Sequence, residues 1–443
     1  MGTQAIIDRA RRVLAIGPLR VDAVLYLVCT GYALVLALTD RHFGFRVWAA
    51  FAVAAYGLAL AHTCWLTFSR GVRPGWWRSR WVSVAVVGVV GMLAPLITLV
   101  VRRLSGGDWT ASPGAWNAQP EVWVIERSAR LLLESGTPYA DLATLGHPPG
   151  SYDYTPYGPV MALFGLPRAL LGGTPVGDAL TDVRLVFALV ALLSVVATLR
   201  LLGKPAVPVR AAQLAVAFPL TALTFATAGP DLAIAALLVL ACALAAIDRP
   251  GQSAILLGLV TAAKLIVLPA AVVLAFLVAT RLGGRALARF ALLFTAVFAA
   301  VQLPALLVAP HTFFEHVIRF PAGLAAVSSP AASPLPGHLI ASTGAAGKVA
   351  AYVLLAAAAL AILLWLVRKP PHSGADALLR IAVGLGTFTM LTPATRFGYL
   401  VYCTITLGAL LVFRHRATPH PATPSVVEPD PGATSGRVGL TSS

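Results

Sequence analysis

Three ionisable residues lie within or beside long apolar runs of this 443-residue chain. Asp231 follows the dipeptide Gly229-Pro230, Lys264 interrupts an otherwise apolar run, and Arg396 comes just before the last apolar run. Because a charge inside a membrane is costly, each of them is a candidate functional residue. Arg396 suits phosphate binding, although snorkelling to the interface explains it equally well. Asp231 can instead serve as a helix cap.

Acidic residues concentrate in the segment 102–156. Within it, residues 120–135 have the three-and-four spacing of an amphipathic helix, which Pro120 starts and Gly136 stops. We predict that this helix lies on the membrane surface. Glu121 then occupies its first turn, where the helix dipole favours a carboxylate whether or not it has a functional role. The acids of the segment are Asp108, Glu121, Glu126, Glu134, Asp141 and Asp153.

The residues from His147 to Pro159 combine prolines with tyrosines such as Tyr154. Prolines stiffen the backbone, and tyrosine rings can stack on a sugar or lie at the headgroup level of a membrane. Both interpretations of these tyrosines stay open at the level of sequence.

The elements that must position these residues are membrane helices. Hydrophobic residues make up 58% of the chain and charged residues 11%, and the mean hydropathy is +0.83. Such a chain cannot fold in water without exposing a large apolar area. The net charge of +16 does not indicate nucleic-acid binding, because the basic residues lie between the apolar runs.

The basic connections predict the topology. Arginines cluster before the first span and between the second and third, and every second later connection is basic, so the positive-inside rule places both termini in the cytoplasm. We predict an all-α polytopic membrane protein with about twelve transmembrane helices. The spans lie near 21–39, 47–68, 82–101, 184–201, 206–224, 230–248, 252–268, 269–282, 289–308, 346–367, 376–392 and 397–413.

Two apolar segments need separate treatment. The segment 157–171 contains two prolines and two glycines, together with Arg168, which favour a short broken or re-entrant element over a crossing. Pro269 leaves open whether 252–282 is two helices or one long kinked helix.

We therefore divide the chain into a cytoplasmic N-terminus (1–20), one transmembrane domain (21–413) and a disordered cytoplasmic tail (414–443). The transmembrane domain carries two long outer loops, 102–156 and 309–345. The four cysteines fall inside predicted spans and have no disulfide or metal spacing.

Several motifs in this order resemble the multi-span glycosyltransferases of the GT-C fold. Over residues 85–413 the chain is similar to the actinobacterial family 87 group, which includes polyprenyl-phosphate-mannose-dependent mannosyltransferases. The similar motifs are an acid followed by a surface helix (Glu121 to Tyr139), Tyr154-Thr-Pro-Tyr-Gly-Pro159, the turn Gly229-Pro230-Asp231, Gly258 to Lys264, and Arg396 to Leu400. The family usually has aspartate where this chain has Glu121, and a Gly-Gln or Gly-His sequence is commoner at the turn.

The resemblance implies an inverting hexosyltransferase in the cell membrane that needs no cofactor, although a divalent cation is possible. It would move a sugar, mannose first, from a polyprenyl-phosphate donor to a glycolipid or glycan acceptor on the extracytoplasmic side. Glu121 would be the base, with Asp153 or Glu126 as alternatives, and Asp231 would orient the sugar or acceptor. Arg396 and Lys264 would neutralise the leaving phosphate; binding roles are also expected for His316, which can equally be structural, and for Tyr154 and His147.

Two other classes of protein remain as alternatives, a transporter or lipid flippase and a non-catalytic relative of the transferases. The acids cluster in an outer loop rather than at mid-membrane, which disfavours transport. The transferase hypothesis requires Glu121, Asp231 and Arg396 to meet at one cavity.

Overall fold

The structure, a computed structural model, describes residues 17–69, 75–106 and 119–417. Most of the predicted N-terminal and C-terminal segments, part of the first long loop with Asp108, and the basic residues Arg9, Arg11, Arg12, Arg70 and Arg73 lie outside these ranges. Within them, the chain forms helices and loops, apart from one isolated bridge between Ala332 and Thr395. The all-α prediction is confirmed.

The N-terminal half contains long apolar helices around one amphipathic helix. These elements are α1 (Pro18–Thr39), α2 (Phe43–Phe68), α3 (Trp81–Ser105), α4 (Pro120–Ser135), α5 (Val160–Phe164), α6 (Leu166–Leu171), α7 (Pro175–Leu180) and α8 (Val183–Leu201). A π-helical turn at Val89–Leu93 interrupts α3.

The C-terminal half begins with two short helices and continues with longer ones. They are α9 (Val209–Ala215), α10 (Pro219–Thr227), α11 (Pro230–Ala246), α12 (Pro250–Ala263), α13 (Leu268–Leu282), α14 (Gly284–Val308), α15 (Ala345–Arg368), α16 (Gly374–Leu391) and α17 (Val401–Ala417). The second long loop, between α14 and α15, contains only short helical turns.

Among the described residues, eight helical segments are long and apolar enough to cross a membrane, or nine if the pair α9 and α10, bent by 50°, is one span. Helices α11 and α12 are apolar but too short to be included in these eight. Helices α13 and α14 are counted as one segment. The protein is thus a multi-pass membrane protein. A helix or a bent pair lies at each of the twelve predicted positions, but the number of crossings stays a prediction.

The basic connections of the sequence gather at one end of the bundle. Asp22 accepts hydrogen bonds from Arg80 and pairs with Arg210 at 2.9 Å. Asp248 pairs with Arg281, and the Thr280 hydroxyl donates to the carbonyl oxygen of residue 371. We call this the basic end. Helix α3 starts at the basic end, and α11 finishes there. The finish of α3, which is followed by α4, and the start of α11 with Asp231 therefore lie at the opposite end, which we call the acidic end.

The chain reverses direction between α12 and α13. The break is at Lys264, whose backbone is extended (φ −149°, ψ 112°), and not at Pro269. Arg281, in the last turn of α13, donates two hydrogen bonds of 3.0 Å to Asp248, which lies just before α12. Both helices therefore start or finish at the basic end, so one long kinked helix over 252–282 is excluded.

The segment 157–171 is broken, as predicted. Helices α5 and α6 meet at Gly165, and each is far shorter than the roughly 20 residues that a crossing requires. Gly165 packs against α4 so closely that a Cβ atom there would lie 2.7 Å from the Ile125 carbonyl oxygen. The absence of a side chain at this position lets the broken segment support α4.

Helix α4 has the predicted bounds, but its polar face is not all exposed. Glu126 is 2% exposed and accepts a 2.6 Å hydrogen bond from Arg103, which also donates to Asp182. This buried cluster ties α4 to α3 and α8. Because a buried ion pair that loses one partner leaves an uncompensated charge, the cluster fixes where α4 lies.

Replacing Gly165 by Ala is expected to lower the thermal unfolding temperature of the detergent-solubilised protein. The added Cβ atom would overlap the backbone of α4, and overpacking of this kind costs about 1–3 kcal/mol. Gly57→Ala is the matched control, since a Cβ atom there meets nothing within 4 Å. An unchanged unfolding temperature for Gly165→Ala would contradict the close packing.

Candidate functional site

A cavity of about 470 Å³ opens at the acidic end of the bundle. Its walls come from α4, the segment before α5, the break between α12 and α13, the second long loop and the segment between α16 and α17. The polar side chains among its lining residues include Glu121, Tyr154, Tyr157, Lys264, Arg396 and Tyr399. Glu121, Lys264, Arg396 and Tyr154 were all expected to contribute to one site.

Glu121 is placed by the first turn of α4, directly after Pro120. Its Oε1 atom accepts a hydrogen bond from Nη1 of Arg396, which is 275 residues away in sequence. Its Oε2 atom is buried and has no hydrogen-bond partner among the described residues. A buried carboxylate oxygen without a partner is unusual, and at a residue that lines a cavity it is a candidate acceptor for a proton.

Arg396 is held in an extended conformation by the second long loop. The backbone N–H of its neighbour Thr395 donates to the carbonyl oxygen of Ala331 at 2.8 Å. The Thr395 carbonyl oxygen accepts from the backbone N–H of Ser333 at 2.9 Å. The contact with Glu121 occupies Nη1 only, so other N–H groups of this guanidinium have no partner among the described residues. Arginine can therefore hold the carboxylate and a phosphate together.

Lys264 lines the cavity at the break between α12 and α13. Its ammonium pairs with Asp231, and the rings of Tyr399, Tyr157 and Tyr402 surround it at 4.9, 5.7 and 5.9 Å. Cation–π contacts of this kind stabilise a partly desolvated cation. The lysine is thus fixed in place beside the cavity rather than extended toward the interface.

Asp231 stands behind Lys264 and is not among the lining residues. It lies in the first turn of α11, after Gly229 with φ 83°, but it makes no capping hydrogen bond. Its Oδ1 atom instead accepts from Lys264 and, at 2.6 Å, from the Tyr402 hydroxyl. The carboxylate therefore positions the lysine, and the expected meeting of Glu121, Asp231 and Arg396 at one cavity holds directly only for Glu121 and Arg396.

The Tyr154 to Pro159 segment fills the space between α4 and α12. The Gly158 N–H donates to the Ala263 carbonyl at 3.0 Å, and a Cβ atom on Gly158 would lie 2.0 Å from the Ala262 carbonyl oxygen. Tyr154 stacks on Phe320 with ring centroids 4.2 Å apart. This glycine is required for the backbone to approach the end of α12, next to Lys264.

His316 is fully buried outside the cavity. Its Nδ1 atom accepts from the Thr155 N–H at 2.8 Å, and Nε2 lies 2.9 Å from the Ala140 carbonyl oxygen, to which it donates. Burial lowers the pKa of His316 to about 4, so the ring is neutral and both nitrogens are occupied. We therefore correct the expected phosphate-binding role: His316 joins the second long loop to the first.

Asp153, His147 and Glu126 also lie outside the cavity lining. Asp153 accepts from the Gly150 N–H at 2.7 Å and lies 3.8 Å from the Arg127 guanidinium. The His147 side chain is 57% exposed, and Glu126 belongs to the buried cluster with Arg103. In this geometry Asp153 and Glu126 do not replace Glu121, and His147 does not reach the site.

Three tyrosines near Lys264 were not singled out as site residues, namely Tyr157, Tyr399 and Tyr402. Tyr157 lies within the motif from Tyr154 to Pro159, and Tyr399 lies within the motif from Arg396 to Leu400. These motifs could have identified the two tyrosines as site residues. Among the described residues no three His, Cys, Asp or Glu side chains are close enough to hold a metal ion. The site thus contains one carboxylate at the cavity, two cations and a group of aromatic rings.

Lowering the pH from 7 to 5 is expected to destabilise the protein through His316. The unfolded histidine gains a proton near pH 6.5 and the folded one only near pH 4, so its contribution, complete above pH 6.5, decreases as the pH falls between these values. The measurement is thermal unfolding of wild type and His316→Gln across this range.

The difference between wild type and the variant should shrink with acidification. His147→Gln, which removes an exposed histidine of the first loop, is the control for the loss of a histidine as such, and it should unfold close to the wild-type temperature at pH 7. An identical pH dependence in His316→Gln and wild type would refute the assignment.

The comparison with known families covers much of this site. The family model of glycosyltransferase family 87 matches residues 154–393, more than half of the chain. The matched region contains Tyr154, Asp231 and Lys264. Glu121 lies before it in the sequence, and Arg396 lies after it. No curated protein and no solved structure shows significant similarity to the chain. By the extent of this match, the chain belongs to glycosyltransferase family 87.

Proposed function

We propose that this glycosyltransferase moves a sugar, with mannose as the first candidate, from a polyprenyl-phosphate donor to a hydroxyl of a glycolipid or glycan acceptor. The positive-inside rule assigns the basic end to the cytoplasm, so the cavity would face the extracytoplasmic side of the cell membrane. The observation that carries the proposal is the cavity with one available carboxylate and two cations, beside an apolar groove.

The groove supports a lipid-linked donor. It has a volume of about 260 Å³, runs between α13, α15 and α16, and shares Pro269, Leu355 and Phe388 with the cavity. Toward the basic end it reaches Arg380, whose guanidinium lies 4.9 Å from the Trp365 ring and donates to the Lys369 carbonyl. A phosphate at Lys264 and Arg396 would place the first isoprene units of its chain in this groove.

The charges also suit the reaction. The donor phosphodiester carries one negative charge, and the leaving polyprenyl phosphate gains a second when the bond from the anomeric carbon to the phosphate oxygen breaks. The acceptor oxygen forms the new bond from the opposite face, with inversion, and its proton goes to Glu121. Protonation neutralises the Glu121 carboxylate and weakens its ion pair with Arg396. The guanidinium can then stabilise the phosphate as the negative charge on the phosphate increases.

Glu121→Gln is expected to lower kcat by about 10² to 10⁴, because general-base catalysis contributes roughly this factor. The amide oxygen of glutamine still accepts from Arg396, so the KM for the donor should change little. Transfer is measured with purified protein and radiolabelled polyprenyl-phosphate mannose, arabinose and glucose.

Glu134→Gln is the matched control, since Glu134 is an exposed acid on the same helix. It should retain wild-type activity. Full activity of Glu121→Gln would remove Glu121 from the role of base, and absence of transfer by wild type from all three donors would overturn the donor assignment.

Gly384→Leu is expected to discriminate between donors by chain length. Gly384 lines the groove one helical turn from Phe388, and a Cβ atom there meets nothing within 4 Å, so the backbone leaves space for the first atom of a leucine side chain, whose remaining atoms would occupy the groove. Losing about 60 Å² of apolar contact should raise the KM for a long-chain donor about tenfold.

A donor whose prenyl chain is too short to reach Gly384 should keep its KM in the same variant. Gly57→Leu, at an open position of α2, is the control and should affect neither donor. An equal effect of Gly384→Leu on both donors would argue against a chain in this groove.

A further inference from the structure

A second groove, of about 450 Å³, lies between α8, α9, α10, α11 and α17. It shares no lining residue with the site cavity or with the groove beside it. Residues on both sides of the bend between α9 and α10 line it, including Ala215 and Thr221. The bend at Pro219 therefore leaves a space that neither short helix fills.

Two threonines whose hydroxyl groups are buried line this otherwise apolar groove. Thr198 is 6% exposed and Thr221 is 3% exposed, both line the groove, and neither Oγ1 atom has a hydrogen-bond partner among the described residues. A helical threonine commonly donates to the carbonyl four residues earlier, as Thr227 does. A buried hydroxyl without a partner is costly, so a ligand with acceptor oxygens in this groove would stabilise both side chains.

The basic-end mouth of this groove carries positive charge. Arg200 and Arg414 directly follow the lining residues Leu199 and Phe413, and Lys204 lies in the turn after α8. All three are exposed, and none forms an ion pair with a described residue. Trp81, a residue type that favours the membrane interface, lines the same mouth.

We propose that this groove is a binding site for an anionic phospholipid. The acyl chain would lie along the apolar wall, and the ester carbonyl oxygens would accept from the Thr198 hydroxyl, which is near the basic end of α8. The phosphate would lie against Arg200 and Arg414. Because α10 leads into Gly229 and Asp231, a lipid that fills the bend also supports the segment that positions Lys264.

The test compares phosphatidylglycerol with phosphatidylcholine, because the two share acyl chains and esters but differ in net charge. Delipidated full-length protein is titrated with each lipid in detergent. Thermal unfolding and the lipid retained in native mass spectrometry are recorded. Phosphatidylglycerol should be retained and should raise the unfolding temperature more than phosphatidylcholine does.

The double variant Arg200→Gln, Arg414→Gln should weaken phosphatidylglycerol binding roughly ten- to thirty-fold, as expected for two basic residues at a membrane surface. Arg285→Gln with Arg289→Gln makes the same charge change at exposed residues of α14 away from the groove and should have no such effect. Equal binding of the two lipids, or equal effects of the two double variants, would overturn the proposal.

The double variant Thr198→Val, Thr221→Val separates a ligand contact from a structural defect. If the hydroxyls bind the lipid, phosphatidylglycerol retention falls while the lipid-free protein unfolds at a higher temperature. Unchanged retention of phosphatidylglycerol would show that the hydroxyls have no ligand, and it would refute this part of the site. These measurements do not involve sugar transfer, so their outcome is independent of the proposed activity.

Discussion

A charge held beside hydrocarbon needs a counter-charge, and the acidic end of this protein depends on that constraint. Its two cavity cations each have a carboxylate partner, Arg396 with Glu121 and Lys264 with Asp231. The Asp231 pair fixes α11 against the break between α12 and α13, and the Glu121 pair fixes α4 against the start of α17. The helices around the cavity are therefore positioned by two ion pairs, and these pairs leave the site close to neutral.

Local patterns predicted a large part of this architecture. Helix α4 begins at Pro120 and ends before Gly136, which adopts a left-handed conformation, because a proline start and a glycine stop act within one turn of the chain. The broken segment at Gly165 follows from its own prolines and glycines. The order of basic connections indicated which helix ends share a side, since arginine placement is also a property of short segments.

Long-range contacts were harder to predict. An amphipathic pattern places Glu126 on a polar face and cannot indicate that Arg103 and Asp182 bury it. His316 suggested phosphate binding by its residue type, whereas its partners Thr155 and Ala140 come from a different loop. Each of the tyrosines around Lys264 lies more than a hundred residues from it in sequence. The sequence motifs predicted that Glu121, Lys264 and Arg396 share one site, and all three line the cavity. Which carboxylate pairs with which cation depends on tertiary packing and was not predicted.

The separation of Glu121 from Arg396 by 275 residues also bears on biosynthesis. Membrane helices leave the ribosome in order, and α4 emerges long before α17. Until the end of the chain is inserted, Glu121 has no cation and the cavity lacks one wall. A nascent chain that ends before residue 396 thus carries Glu121 without the cation that pairs with it in the folded protein. The contact between α4 and the segment before α17 therefore forms only after residue 396 has been synthesised and inserted.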